Sequence, residues 1–319
     1  MTNNLATNGK KTIDFFALRK IFFGVSLAIV VIGIICNFIF GTTLDIQFSG
    51  GSMLKYTYSG EVNSAELERM IQDATPDNIV TFSRSQDLVN GTNKITVQFS
   101  GEEAITTEVQ EKLTADIQKE FPDNNFKLEE SNSVDATMGM SFLLKCVCAV
   151  ALASVLMVLY VTIRFRKIGG LSAGMFGLVA LFHDVAVIYF FYVIFRMPID
   201  SNFIAVALMI LGYSLNDTVV IYDRIREERK LQGYKADIVD VFNYSMTKVV
   251  RRTIMTTVTT LIAVITVYVV ALVFSLDSVT GFALPMMVGL ISGCYSSIFV
   301  AGPLWVMWQK RKERLADKK

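Results

Sequence analysis

The sequence predicts a membrane α-helical protein of six transmembrane helices, with a ferredoxin-like α+β (βαββαβ) extracytoplasmic domain between helices 1 and 2. Three observations carry this expectation. The 319 residues are 52% hydrophobic with a mean hydropathy of +0.46, above the usual range of a soluble domain. Six apolar stretches are long enough to cross a bilayer, at 21–40, 141–163, 171–195, 203–222, 254–274 and 283–307. Residues 42–140 hold seven Lys and Arg against 17 Asp and Glu, a net −10, while the rest of the chain carries +11. An acidic soluble domain in a basic membrane frame argues against nucleic acid as its partner.

Residues 1–20 form a basic N-terminus with Lys10, Lys11, Arg19 and Lys20. The apolar run that follows is too long for a signal peptide and lacks a small-x-small cleavage site, so an uncleaved anchor is expected. The extracytoplasmic segment, 41–140, reads as strand 53–58, helix 64–74, strand 78–84, strand 94–99, helix 102–120 and strand 126–134. An Asn90-Gly91 turn between alternating runs is a strong hairpin signal. The order βαββαβ is the split βαβ unit. This segment contains no His and no recognisable acid–base pair, so it offers no catalytic constellation.

The other five helices fill 141–310 and alternate with basic segments: Arg164, Arg166 and Lys167, the 223–252 loop, and Lys310-Arg311-Lys312 leading into a basic tail at 311–319. The positive-inside rule then places both termini and the 223–252 loop in the cytoplasm, with Trp305 and Trp308 at the inner interface. In that loop Ile238, Val241, Phe242 and Met246 recur at helical spacing, as in an amphipathic surface helix. Cys36, Cys146, Cys148 and Cys294 all lie in apolar runs, without the spacing of a zinc or disulfide motif. No metal or cofactor is implied.

Polar groups inside the spans are few, and each asks for a reason. Asp217 in the inner half of span four costs roughly 2.5–3.5 kcal/mol at a helix centre, so by default it faces protein and does a job. A proton-carrying site needs a titrating group, a cation to tune it and a route for water. Asp217 supplies the first, Arg252 at the head of span five is the candidate second, and Thr253, Thr256, Thr257 and Thr260 share a helical face suited to the third. Arg251 is an adjacent rival. His183 and Asp184, near the middle of span three, and Asn216 beside Asp217 are candidate supporting polar groups, and each also has a packing reading. Gly170/Gly174 and Gly289/Gly293 have the GxxxG spacing of close helix packing.

With these residues in view the chain resembles the SecD/SecF family of protein-export membrane subunits, within the resistance–nodulation–division superfamily. The stretches that carry the resemblance are Ala180-Leu181-Phe182-His183-Asp184-Val185, Gly212–Glu227 with its Leu215-Asn216-Asp217 core, Arg252-Thr253, Gly281-Phe282-Ala283 and Tyr295-Ser296-Ser297-Ile298-Phe299-Val300-Ala301. Three places depart from the family pattern: Gln47 where an acid is common, Asp135-Ala136 at the entry to span two, and Thr247-Lys248-Val249-Val250-Arg251 before Arg252.

The resemblance implies a non-enzymatic protein of the bacterial cytoplasmic membrane that pairs with SecD beside the SecYEG translocon, with YajC- and YidC-type accessory proteins as further partners. Its energy source would be the proton gradient, its cargo the translocating preprotein, its proton path Asp217 and Arg252, and its surroundings membrane lipid. Rival readings are a half-size proton-driven small-molecule exporter of the same superfamily, an intramembrane aspartyl protease using Asp184 with Asp217, and a passive scaffold. The protease reading is weakened by depth, with Asp184 near mid-membrane and Asp217 nearer the inner face.

Overall fold

A computed structural model describes residues 13–76, 79–86, 92–100, 105–233 and 236–316. Six apolar segments are long enough to cross a membrane: α1 (Arg19–Phe40), α5 (Ala136–Arg164), α6 (Gly170–Ile194), α7 (Ser201–Gln232), α8 (Ile238–Val273), and a final segment, Asp277–Leu315. Helices α6, α7 and α9 (Asp277–Ser296) form the interior, while α1, α5 and α8 are peripheral and present apolar side chains outward. That division follows from residue size. A Cβ at Gly170 would lie 2.1 Å from the Thr162 carbonyl oxygen on α5, and one at Gly289 would lie 2.6 Å from Ile210 on α7. Without a large side chain at either position the helices approach until their surfaces interlock.

The sixth span is not one α-helix. It runs as α9, a π-helical turn at Ser297–Ala301, and α10 (Gly302–Ala316). Pro303 has no N–H to give the Phe299 carbonyl, so the regular ladder cannot pass through this point. The 223–252 loop is likewise helical over most of its length. α7 continues to Gln232 and α8 begins at Ile238, where Asp237 caps it by accepting from the Val239 N–H at 2.7 Å. Ile238, Val241, Phe242 and Met246, expected on a separate surface helix, are the buried first turns of α8. Trp305, expected at an interface, is fully buried against Tyr222, while Trp308 is half exposed.

The inserted domain comprises β1 (Gly51–Tyr58), α3 (Ser64–Ala74), β2 (Ile79–Gln86), β3 (Asn93–Ser100), α4 (Thr107–Glu120) and β4 (Lys127–Val134). Its four strands lie in the order β2-β3-β1-β4 with every neighbouring pair antiparallel. Leu54, Tyr56, Val97 and Phe99 face Leu67, Ile71, Leu113 and Ile117 in its core. The Asn90-Gly91 turn and the first residues expected in α4 lie outside the described residues.

A short neck joins this domain to the bundle. In α2 (Ile46–Ser49), Phe48 is fully buried among Ile188, Tyr192, Val206, Ile210 and Leu290, so an aromatic plug from the neck fills the end of the bundle. Asp45 caps α2 through the Gln47 N–H at 2.9 Å and accepts from Gln98 Nε2 on β3 at 2.6 Å. Its own N–H bonds to the Ile199 carbonyl at 3.0 Å, and the Ile199 N–H to the Thr43 carbonyl at 2.9 Å. Gln98, Asp45, Ile199 and the Asp200 cap of α7 therefore form one continuous tie. A second tie is the ion pair from Lys55 on β1 to Asp277 at the start of α9, at 2.7 Å.

Two measurements test this packing. Gly170→Ala should lower the unfolding midpoint of the purified chain by an amount equivalent to about 1–3 kcal/mol, because backbone blocks the new Cβ. Gly212→Ala, where nothing lies within 4 Å, should change it by less than about 0.5 kcal/mol. Equal effects would refute the assignment of α5–α6 contact to Gly170.

The neck should also respond to pH. Burial holds the Asp45 carboxyl above its usual range, and burial together with the Asp45 charge does the same to Asp200. A raised folded-state pKa contributes stability that is fully present below the unfolded value, about 3.9, and is lost as pH rises through the raised value. The melting midpoint should therefore fall across that window. Asp200→Asn, which still caps α7, should flatten the fall; an unchanged profile would remove the neck as its source.

Candidate functional site

Asp184 on α6 is fully buried and is the most heavily bonded side chain of the bundle interior. Ser292 Oγ donates to its Oδ1 at 2.7 Å, Ser296 Oγ to Oδ2 at 2.7 Å and Ser214 Oγ to Oδ2 at 2.9 Å. His183 Nδ1 lies 3.3 Å from Oδ1. A carboxylate has about four acceptor positions, and here hydroxyls on α7 and α9 occupy three of them, with the neighbouring imidazole beside the remaining one. Gly293 makes room: a Cβ there would lie 3.3 Å from Ser214 Cβ and 3.8 Å from Asp184 Oδ2.

The hydroxyls continue from this knot along α7. Ser297 Oγ lies 3.3 Å from Ser214 Oγ and 3.0 Å from Thr218 Oγ1, and bonds to the Ser214 carbonyl at 3.2 Å. The π-helical turn explains why Ser296 and Ser297 both point inward. The wider turn that begins at Ser297 lets consecutive residues reach α6 and α7 respectively, and such turns recur at functional positions.

Asp217 is adjacent to Thr218 in sequence and is 3% exposed. Its Oδ2 is buried without a hydrogen-bond partner, as is Thr253 Oγ1 on α8. Arg252 is the charged group whose field reaches Asp217, yet no salt bridge within 4.0 Å joins them. Arg252, the candidate tuning cation, is thus near Asp217 without being ion-paired to it. Arg252 is itself exposed on the α8 surface, as is Arg251.

The remaining expected residues separate into two groups. Thr253 and Thr257 face the interior, and Tyr213 on α7 donates to Thr257 Oγ1 at 3.2 Å. Thr256 bonds back to the Arg252 carbonyl at 2.9 Å and Thr260 to the Thr256 carbonyl at 2.9 Å, and both are half-buried at the edge of the expected threonine face. Asn216 is exposed on α7, one turn from exposed Gly212. His183 is nearly buried, its Nε2 without a partner and its ring 5.8 Å from Tyr295. Tyr295 OH in turn donates to the Phe22 carbonyl on α1 at 2.6 Å.

The two carboxylates are closer in depth than the sequence suggested. Ser214 touches Asp184 directly and precedes Asp217 by three residues, a rise of about 4.5 Å along a helix. No site role was assigned from the sequence to Ser214, Thr218, Ser292, Ser296 and Ser297. The available signal was the i, i+4 pair Ser292/Ser296 opposite an intramembrane acid.

Comparison with known proteins identifies this arrangement's family. Residues 113–311 match the family model described as protein export membrane protein SecD/SecF, C-terminal. The chain belongs to the SecD/SecF family. The protein translocase subunit SecF of Alicyclobacillus acidocaldarius is 33% identical over 313 residues, covering 97% of each chain. The protein translocase subunit SecDF of Bacillus subtilis is 31% identical over 304 residues, 94% of this chain and 38% of the relative. The crystal structure of SecDF, a translocon-associated membrane protein from Thermus thermophilus, superposes with a TM-score of 0.78 at 25% identity. The match covers 96% of this chain but spans only 40% of that SecD/SecF-family chain. Six apolar helices and this family membership make the chain a multi-pass membrane protein with an accessory role in Sec protein translocation.

The hydroxyl knot predicts a graded response. Asp184→Ala leaves three serine hydroxyls without their acceptor and should cost about 2–3 kcal/mol. Asp184→Asn retains one acceptor oxygen and should cost about half as much, read as unfolding midpoints in detergent. Equal losses would show that the hydroxyl bonds do not hold α6, α7 and α9 together.

Proposed function

We propose that this chain acts with a SecD-type partner to convert the proton-motive force into promotion of polypeptide export through the Sec channel, with Asp217 as the proton-carrying group. The observation that carries the proposal is Asp217 itself: a buried carboxylate in a membrane helix, one oxygen unpartnered, under the field of Arg252. A buried oxygen without a donor is costly, and a proton or a moving donor relieves that cost. Arg252 stays charged, so a shift of α8 relative to α7 alters its hold on Asp217 without any second titration.

In this reading both termini and the Gln232–Ile238 connection face the cytoplasm, and the inserted domain, with the ferredoxin-like order β2-β3-β1-β4, faces outward to meet emerging polypeptide. Gly212 and Asn216 on α7 and Arg252 and Thr259 on α8 are exposed, polar or small positions on otherwise apolar outer surfaces. They mark where a partner helix fits, which agrees with relatives in which SecD and SecF names are joined in one chain. SecYEG and YajC- or YidC-type proteins complete the assembly. An inward proton supplies about 2.3 kcal/mol per 100 mV of membrane potential, enough to bias a two-position domain equilibrium.

The aspartyl-protease alternative requires two carboxylates sharing a proton. Asp184 instead spends its acceptor positions on serine hydroxyls. A half-size small-molecule exporter finds no specific support in the site.

Asp217→Asn should reduce proton-dependent stimulation of preprotein export, in vesicles containing the partner and the channel, to the level found after collapse of the gradient. Co-purification with the partner should be unchanged. Export at normal rates, still sensitive to the gradient, would overturn the proton role; export insensitive to the gradient before substitution would indicate a passive scaffold.

A further inference from the structure

A cavity of about 560 Å³ opens at the bundle end opposite the inserted domain, between the end of α5, the first turns of α6 and α10. It lies away from Asp184 and Asp217 and takes no part in the proposed proton path. Its rim carries two cations, Arg166 and Lys312, both exposed and neither in an ion pair among the described residues. Its walls are apolar and open outward: Leu171 is 63% exposed, Met175 47% and Trp308 49%. Its floor is polar and built. Gln309, 7% exposed, is fixed by bonds from Nε2 to the Ile168 carbonyl at 3.0 Å and to Ser172 Oγ at 3.2 Å. Thr162 Oγ1 lines the same space, buried and without a partner.

We propose that this cavity binds one anionic phospholipid, its phosphate headgroup between Arg166 and Lys312 and its acyl chains along Leu171, Met175 and Trp308. Two unpaired cations above a polar floor call for an anion. Apolar walls continuous with the lipid-facing side of α6 call for one that carries hydrocarbon, which a dissolved phosphate does not. Basic pockets between membrane helices at a headgroup level are suited to such lipids, and a half-exposed tryptophan is at home there. The headgroup would tie the α5–α6 turn to α10, and α10 follows directly from the π-helical turn beside the hydroxyl knot.

The test uses the full chain reconstituted into phosphatidylcholine bilayers with increasing brominated phosphatidylglycerol, reading quenching of tryptophan fluorescence. Trp308 is the accessible reporter and buried Trp305 supplies a constant background. Brominated phosphatidylglycerol should quench at roughly 30-fold lower mole fraction than brominated phosphatidylcholine, since each of the two basic residues near the surface contributes about fivefold. R166Q/K312Q should abolish that preference and R166K/K312R should retain it, with helicity confirming both folds. Dissolved inorganic phosphate should not compete. Equal quenching by the two lipids in the unsubstituted protein overturns the proposal without any variant. So does a preference that survives R166Q/K312Q, or competition by phosphate at matching concentration, which would mark a site for a soluble anion.

Discussion

The acceptance of three serine hydroxyls by Asp184 is the interaction on which the bundle depends. Hydrocarbon does not drive helices together, so association in a bilayer rests on close packing and on polar groups that have nowhere else to bond. Asp184 joins α6 to α7 through Ser214 and to α9 through Ser292 and Ser296. The glycines allow these short side chains to span the gap; a larger residue at Gly289 or Gly293 would hold α9 away from Ile210 and Ser214. The polar knot and the small residues thus require each other. Serine reaches only where backbones approach, and the approach is favourable in part because serine then bonds.

α7 carries this arrangement from one end of the molecule to the other. At 32 residues it spans about 48 Å. It begins in the neck, where Asp200 accepts from the Phe203 N–H at 3.1 Å, and passes Ser214, Asp217 and Thr218. It ends beyond the apolar region, where buried Glu228 pairs with Arg224 and with Lys248 at 2.9 Å. The neck gives the inserted domain two attachments to the bundle: the Asp45–Ile199 link to α7 and the Lys55–Asp277 pair to α9.

Elements that rest on local chemistry were legible in the sequence, and those that rest on distant contacts were not. The six apolar stretches and the alternating strands follow from hydropathy period alone. Asp217 and Arg252 were singled out from residue type and position, while the distance between them is set by tertiary packing that no local pattern encodes. The π-helical turn escaped notice because Gly302-Pro303 was read within an uninterrupted apolar run. The hydroxyl knot escaped notice because serine is unremarkable one residue at a time; only three-dimensional convergence on Asp184 makes Ser214, Ser292 and Ser296 a unit. The neck shows the same limit, since nothing local in Gln98 announces a bond to Asp45, 53 residues earlier.

The contrast between the two intramembrane aspartates divides their work. Asp184 has its acceptor positions taken by groups on its own and two other helices, so altering its contacts means separating α6, α7 and α9 together. Asp217 has an unpartnered oxygen and a cation near but not bonded, so it can exchange neighbours while the knot one turn away stays closed. The proposed coupling of charge movement to domain movement calls for a fixed contact and an exchangeable one, and the two aspartates differ in that respect. Ser297 and Thr218 connect the two at 3.0 Å, on opposite sides of the α7–α9 seam. The π-helical turn begins at Ser297, where a helix can change its register by one residue without breaking. That places the π-helical turn directly against the segment of α7 that carries Asp217, one turn from the Asp184 knot.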